Sequence, residues 1–266
     1  MKCQLILDAL ESYAPVRYAM DWDNVGLLVG DAERDVTKVM AALDPSADVI
    51  RQAAEQGAEL LVTHHPMLFH PVKRVIASDP TGAKIIALIR NGISYYAMHT
   101  NCDTVQMAEH AAELIGLDPD GILEPVVPAG TVPDAHAEPQ GIGRVGNLER
   151  PVTLREYAEK VKSDLGLKEV RMIGDGSRLI RRAAFSTGSG KSMIPAAVRA
   201  GADVLIAGDF DHHTAMDALD AGFALIDGGH FGTEHFMVDD TIAYLTARFP
   251  QLPVLKAEED GPWTEL

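Results

Sequence analysis

The stretch Leu60-Leu61-Val62-Thr63-His64-His65-Pro66 runs from an apolar segment straight into two histidines and a proline. A short continuous apolar run closed by polar residues is the signature of a strand buried on both faces, as in a parallel sheet. In such sheets, sites form outside the carboxyl ends of the strands. Histidine is the commonest metal ligand. The stretch therefore predicts an α/β sheet and a metal-binding edge to it. A matching pattern returns as Ile226-Asp227-Gly228-Gly229-His230-Phe231-Gly232-Thr233-Glu234.

Working outward, residues 3–13 carry the spacing of an amphipathic helix closed by Pro15. Residues 26–30 and 36–43 read as strands, 47–56 as a helix ended by Gly57, and 59–62 as the strand entering the histidine pair. A helix over 81–90 stops at Asn91-Gly92, and a strand over 93–98 enters His99-Thr100-Asn101-Cys102-Asp103, followed by helix over 105–115. Later strands are expected over 141–148, 169–173, 180–186, 204–207 and 223–226. They are interleaved with helices over 153–165, 194–200, 213–221 and 234–246. This alternation predicts an α/β fold with mixed, largely parallel sheets, in two halves that a Pro-rich segment separates. Residues 1–123 form the first and 141–266 the second, with the final helix free to pack back on the first. The segment 124–140, with Pro125, Pro128, Pro133 and Pro139, is the expected crossover. The halves echo each other weakly, and two similar domains sharing one cleft would bring both ligand sets together.

Composition narrows the function. The 266 residues suffice for one large domain or two ordinary ones. With 23 Lys+Arg against 39 Asp+Glu, the formal charge of −16 opposes nucleic-acid binding. Two cysteines, Cys3 and Cys102, imply no disulfide framework and fit a reducing compartment. No secretory leader or membrane-length apolar run is present, so a soluble, cytoplasmic protein is expected.

The polar residues at the strand ends form a constellation. His64 and His65 would face opposite ways on a regular strand, but a turning strand end allows both to face one cleft. Asp103 follows His99 by four residues, as a ligand or as the cap of the next helix. His99 is a ligand, a donor orienting a carboxylate, or a proton carrier. His230 and Glu234 share a face if the backbone is helical from His230 onward. His64, His65, Asp103, His230 and Glu234 together suffice for two divalent ions, and water held between two cations is a nucleophile at neutral pH. His212-His213 either line such a site or stand exposed on a helix N-terminus.

Two glycine strings are set aside. Gly141-Ile142-Gly143-Arg144-Val145-Gly146 fits G-x-G-x-x-G, but a proline-rich segment precedes it and Pro151 follows. Gly190-Lys191-Ser192 lacks the upstream glycine of a phosphate-binding loop, because Phe185 stands there.

Five motifs occur in order along nearly the whole chain. They are Asp23-Asn24-Val25-Gly26-Leu27, Thr63-His64-His65-Pro66, His99-Thr100-Asn101-Cys102-Asp103, Gly208-Asp209 with His212-His213, and Gly229-His230 with Glu234. The set resembles the NIF-three-like family, often labelled GTP cyclohydrolase 1 type 2 homologues. The resemblance implies two intertwined α/β domains, a dinuclear metal centre in the cleft between them, and a toroidal homohexamer. Its metal ligands fall on His64, His65, Asp103, His230 and Glu234, and His99 and the His212-His213 pair match family positions close to the metals. His99 and Glu234 are the expected catalytic residues. This chain departs from the family in having Gly208-Asp209 for Gly-Glu and Asp260-Gly261-Pro262-Trp263 for a Thr-Asn-Pro-Phe-like tail. It also resembles the short form without an inserted middle domain.

The leading expectation is thus a metal-dependent hydrolase acting on a nucleotide or related small molecule, with Zn, Fe, Mn or Ni as its two ions. The competing expectation is a non-catalytic metal-binding scaffold or metallochaperone with a protein partner.

Overall fold

Residues 1–128 and 139–263 are described in the computed structural model of the chain. They divide into two compact units, Met1–Cys102 with Phe236–Leu266, and Asp103–His235. The first begins with α1 (Cys3–Tyr13), β1 (Gly26–Val29), β2 (Val39–Ala42), α2 (Ala47–Glu55), β3 (Leu60–Thr63), α3 (Pro80–Asn91), β4 (Ser94–Ala97) and a short helix α4 (Thr100–Cys102). The second contains α5 (Ala108–Leu114), β5 (Leu117–Val126), β6 (Gln140–Thr153), α6 (Leu154–Asp164), β7 (Arg171–Ile173) and β8 (Leu179–Ser189). It continues through α7 (Ile194–Arg199), β9 (Val204–Gly208), α8 (His212–Asp220), β10 (Ala224–Asp227) and α9 (His230–Glu234). The chain then returns to the first unit as α10 (Phe236–Arg248) and β11 (Val254–Lys256).

In the first unit the strand order is β1-β4-β3-β2-β11, parallel throughout except that β1 runs antiparallel to β4. Every residue of β2, β3 and β4 is buried, as a strand covered on both faces requires. Met40, Leu61 and Tyr95 pack with Ile50 of α2 and Leu88 of α3 into one apolar cluster. Each fully buried aliphatic side chain of this kind contributes roughly 1.5–3 kcal/mol. The helices are placed by local chemistry. Ser46 caps α2 by accepting from the Val49 N–H, and Asp79 caps α3 by accepting from the Gly82 N–H. Gly92, at φ 65°, ends α3 in the left-handed conformation that glycine adopts without strain. In register, Thr63 pairs with Ala42 and Ala97, so the ends of β2, β3 and β4 lie side by side.

The second unit's sheet is the more mixed, in the order β5-β6-β8-β9-β10-β7. Only β8–β9 and β9–β10 are parallel. Its strand β5 has no counterpart in the strand pattern read from sequence, because Pro119 and Pro125 interrupt it. It is an edge strand, where the missing N–H groups of proline cost no central ladder bonds. Opposite those prolines stand Gly146 and Gly141 of β6. A Cβ at Gly146 would lie 1.9 Å from the Asp118 carbonyl oxygen, and one at Gly141 2.8 Å from the Pro125 Cα. The glycines of the G-x-G-x-x-G string thus serve close strand packing. The expected crossover over 124–140 overlaps the end of β5 and the first residue of β6. Its residues 129–138, with Pro133 and His136, lie outside the described residues. Among the described residues no helix is long and apolar enough to cross a membrane.

Candidate metal centre

In the first unit, the end of β3 is turned by a buried pair of hydroxyls. Thr63 Oγ1 and Tyr95 Oη each lie 2.8 Å from the His65 carbonyl oxygen. Burial pushes the Tyr95 phenol well above its ordinary pKa, so it stays a neutral hydroxyl. The turn brings His64 and His65 together, with ring centroids 5.0 Å apart, and His99 joins them at 5.1 Å from His64. One ligand-capable atom from each of the three histidines lies within 4.8 Å of the others.

The ring orientations are fixed by oxygens that can only accept. His64 Nδ1 lies 2.8 Å from the Met98 carbonyl, His65 Nδ1 2.8 Å from Asp44 Oδ1, and His99 Nδ1 2.9 Å from Asp23 Oδ1. Each Nδ1 must then carry the proton, and in the neutral ring the lone pair sits on Nε2. The Asp23 side chain is covered, although the residue as a whole is half-buried. Burial alone would raise its pKa, but hydrogen bonds from His99 and the His99 charge, with further hydrogen bonds from Thr100, outweigh it and hold the carboxyl at about 2. Its other oxygen accepts from the Thr100 N–H at 3.0 Å and hydroxyl at 2.6 Å.

The C-terminal tail also reaches this region. Glu259 accepts from the backbone N–H groups of Leu43 and Asp44, and so holds the segment that carries Asp44. Burial raises the Glu259 carboxyl, offset in part by those two N–H groups.

In the second unit, Asp103 opens a π-turn over Asp103–Met107 that follows α4 directly. The helical turn is already under way at Thr100, so Asp103 does not cap it. Asp103 Oδ1 instead accepts from Thr187 Oγ1 at 2.6 Å. π-turns of this kind recur at functional sites. Gly188 follows at φ 59°, and a Cβ there would sit 2.2 Å from Glu234 Oε1 and 3.1 Å from His230 Nε2. Only glycine leaves room for those two side chains. The chain is helical from His230, so His230 and Glu234 share a face, with Nε2 and Oε2 3.2 Å apart.

His230 is held as the other histidines are, with Nδ1 2.7 Å from Asp209 Oδ2. Among the described residues Asp209 is the one non-glycine at positive φ, 61°. Aspartate tolerates this conformation better than most residues, at a cost that concentrates at functional positions. A Cβ on Gly208 would lie 2.5 Å from the His230 nitrogen, so the two loops touch backbone to backbone. Asp227 completes the frame, accepting from the Gly229 N–H at 2.9 Å and from Arg171 at 2.6 Å.

The residues singled out from sequence thus fall into two clusters, one in each unit: His64, His65 and His99, and Asp103, His230 and Glu234. His212 and His213 stand exposed in the first turn of α8, which Asp211 caps. Lys191 of the Gly190-Lys191-Ser192 string pairs with Asp211 at 2.8 Å. Sequence reasoning passed over Asp44, Thr187 and Asp227. Asp44-Pro45 closes an apolar run as His65-Pro66 does, and that parallel was the available signal.

Strand-end histidines with Nδ1 held by carboxylate or carbonyl, beside paired carboxylates, define an α/β protein with the donors for divalent metal. The sequence model of the Duf34/NIF3 (NGG1p interacting factor 3) family matches residues 1–262. A Clostridium perfringens relative named GTP cyclohydrolase 1 type 2 homolog is 39% identical over 236 residues, covering 88% of this chain and 87% of its own length. Among solved structures, a Bacillus cereus protein related to NIF3 superposes with a TM-score of 0.89 at 23% identity, covering 100% of this chain and 99% of that one. Reduced HcgD from Methanocaldococcus jannaschii gives 0.80 at 29% identity, covering 96% and 97%. The chain belongs to the Duf34/NIF3 family. A Bacillus subtilis relative aligns over 343 positions, more than this chain has residues, so that relative carries a long insertion absent here.

Proposed function

We propose that the protein is a metal-dependent hydrolase whose two donor clusters act together as one dinuclear centre. Its ligands are His64, His65, Asp103, His230 and Glu234, and its ions are two of Zn, Fe, Mn or Ni. The observation that carries this reading is the shared tautomer. Four histidines place Nδ1 between 2.7 and 2.9 Å from an oxygen acceptor, which leaves Nε2 as the donor atom on each. Metal-binding histidines are oriented in this way, and the three imidazoles with two carboxylates suit those ions.

Bound divalent ions lower the pKa of water towards neutrality and polarise the atom under attack. The protein's part is positioning and proton movement. Asp23 holds His99 with its Nδ1 protonated, so Nε2 is the atom that accepts a proton, and the resulting imidazolium is stabilised by the buried carboxylate. Glu234, buried and given room by Gly188, would hold metal through its carboxylate. The curated relatives' name supports a nucleotide substrate, for which GTP would be attacked at C8 of its ring. The charge of −16 supports a small molecule over nucleic acid. Family resemblance supports a toroidal homohexamer, and a chain with two cysteines, Cys3 and Cys102, both buried, supports a reducing, cytoplasmic setting.

Elemental analysis of the purified protein, beside His65→Ala and Glu234→Ala, tests the centre. The wild type is expected to hold close to two ions per chain and each variant fewer. Less than about one ion in the wild type overturns the dinuclear reading. Turnover of GTP or a related nucleotide that Glu234→Ala abolishes supports the hydrolase. Full metal occupancy without turnover on nucleotides, phosphoesters or amides supports the scaffold or metallochaperone instead.

A further inference from the structure

The segment that leaves His65 returns to α3 around an open, solvent-facing cavity of about 590 Å³, lined among others by Phe69, His70, Lys73, Arg74 and Asp79. An open cavity of this size has room for a small polar ligand. In a chain of net charge −16, adjacent Lys73 and Arg74 form no ion pair among the described residues, and neither does His70. The carboxylate on the wall, Asp79, has one oxygen engaged by the Gly82 N–H that it caps. Phe69 links this lining to an aromatic group beside it. The Phe69 ring is 5.8 Å from Trp22 and 6.4 Å from His99, and Trp22 is 6.2 Å from His99. Both aromatic side chains are exposed, Trp22 at 56% and Phe69 at 39%.

We infer that this cavity is a recognition subsite for a small phosphate ester bearing a planar ring. Lys73 and Arg74 hold the phosphate, to which a guanidinium fork and an ammonium are suited. Phe69 and Trp22 contact the ring and present it towards His99. Binding at this subsite does not depend on metal. Its use in catalysis rests on the metal-centre reading above.

The chain has two tryptophans, and Trp263 is 84% exposed in the tail. In a Trp263→Phe background, Trp22 becomes the sole indole reporter. Titration with adenosine and guanosine 5′-monophosphates should quench its fluorescence saturably. The parent nucleosides and inorganic phosphate should bind at least 10-fold more weakly. Lys73→Ala/Arg74→Ala should weaken nucleotide binding by a similar factor and leave nucleoside binding unchanged, and Phe69→Ala should weaken both. His65→Ala, which removes a proposed metal ligand, should bind nucleotide as the parent does. That outcome separates a failure of the metal reading from a failure of the subsite. Absence of saturable quenching overturns the inference. So does equal binding of nucleotide and nucleoside, or nucleotide binding that Lys73→Ala/Arg74→Ala leaves intact.

Discussion

At the ends of β3 and β4 the histidines are oriented from ordinary backbone, by the Met98 carbonyl and by side chains, whereas at the ends of β8, β9 and β10 the corresponding groups are framed by backbone that few residues adopt. Thr63, Tyr95, Asp44 and Asp23 orient the first cluster through ordinary strand and loop conformations. Gly188 at φ 59°, Asp209 at φ 61° and Gly229 at φ 73° frame the second. The two clusters are therefore vulnerable in different ways. The first loses single hydrogen bonds when altered, while the second loses the space and the turn geometry on which its ligands depend.

The largest effect is expected at the second cluster. Gly188→Ala forces a left-handed alanine, costing roughly 1–2 kcal/mol, and drives its Cβ to 2.2 Å from Glu234 Oε1. Metal content should fall as far as in Glu234→Ala, and the melting temperature should drop. Thr63→Ala, the counterpart in the first cluster, should cost about 1 kcal/mol for its hydrogen bond and retain metal. Equal losses from the two, read by calorimetry and elemental analysis, would erase the contrast.

Asp209→Asn and Asp44→Asn each weaken the acceptor on a histidine Nδ1 and should lower metal affinity roughly 10- to 100-fold in competition with a chelator. Asp209→Gly sharpens the comparison. It relieves the left-handed backbone while losing the acceptor, so its stability should hold or rise as affinity falls.

A smaller effect is expected in acid. The Asp23 carboxyl lies at about 2 in the folded protein against an ordinary value of 3.8. A depressed acid stabilises the fold above its unfolded pKa, and that contribution is lost as pH falls through the folded value. About 2 kcal/mol should therefore disappear between roughly pH 4 and pH 2. Asp23→Asn should flatten this part of the acid-unfolding curve, measured without added metal. The smallest effect belongs to His212→Ala and His213→Ala, exposed on α8, which should shift stability by less than about 0.5 kcal/mol and leave metal content unchanged.

Much of the fold was legible because burial on both faces leaves a plain mark in sequence. The apolar runs of β2, β3, β4, β9 and β10 and the stops at Gly57, Gly92 and Pro15 could each be read directly. Strand β5 could not, because Pro119 and Pro125 speak against a strand unless its place at the sheet edge is known. Strand β11, three residues long, carries too little pattern to register. At the candidate site, the six groups with metal-binding chemistry were visible as residue types at strand ends. The oxygens that orient them were not. Asp44 lies 21 residues before His65, and Thr187 lies 84 after Asp103, and carboxylates or hydroxyls at such separations look like any others until the sheet registers bring them together.

Anomalous diffraction from crystals of the metal-loaded protein tests whether the two proposed clusters share one dinuclear centre. Two metal peaks per chain are expected, with ligands drawn from His64, His65, Asp103, His230 and Glu234. A single peak, or metal bound only by the histidines of one unit, would contradict a shared centre.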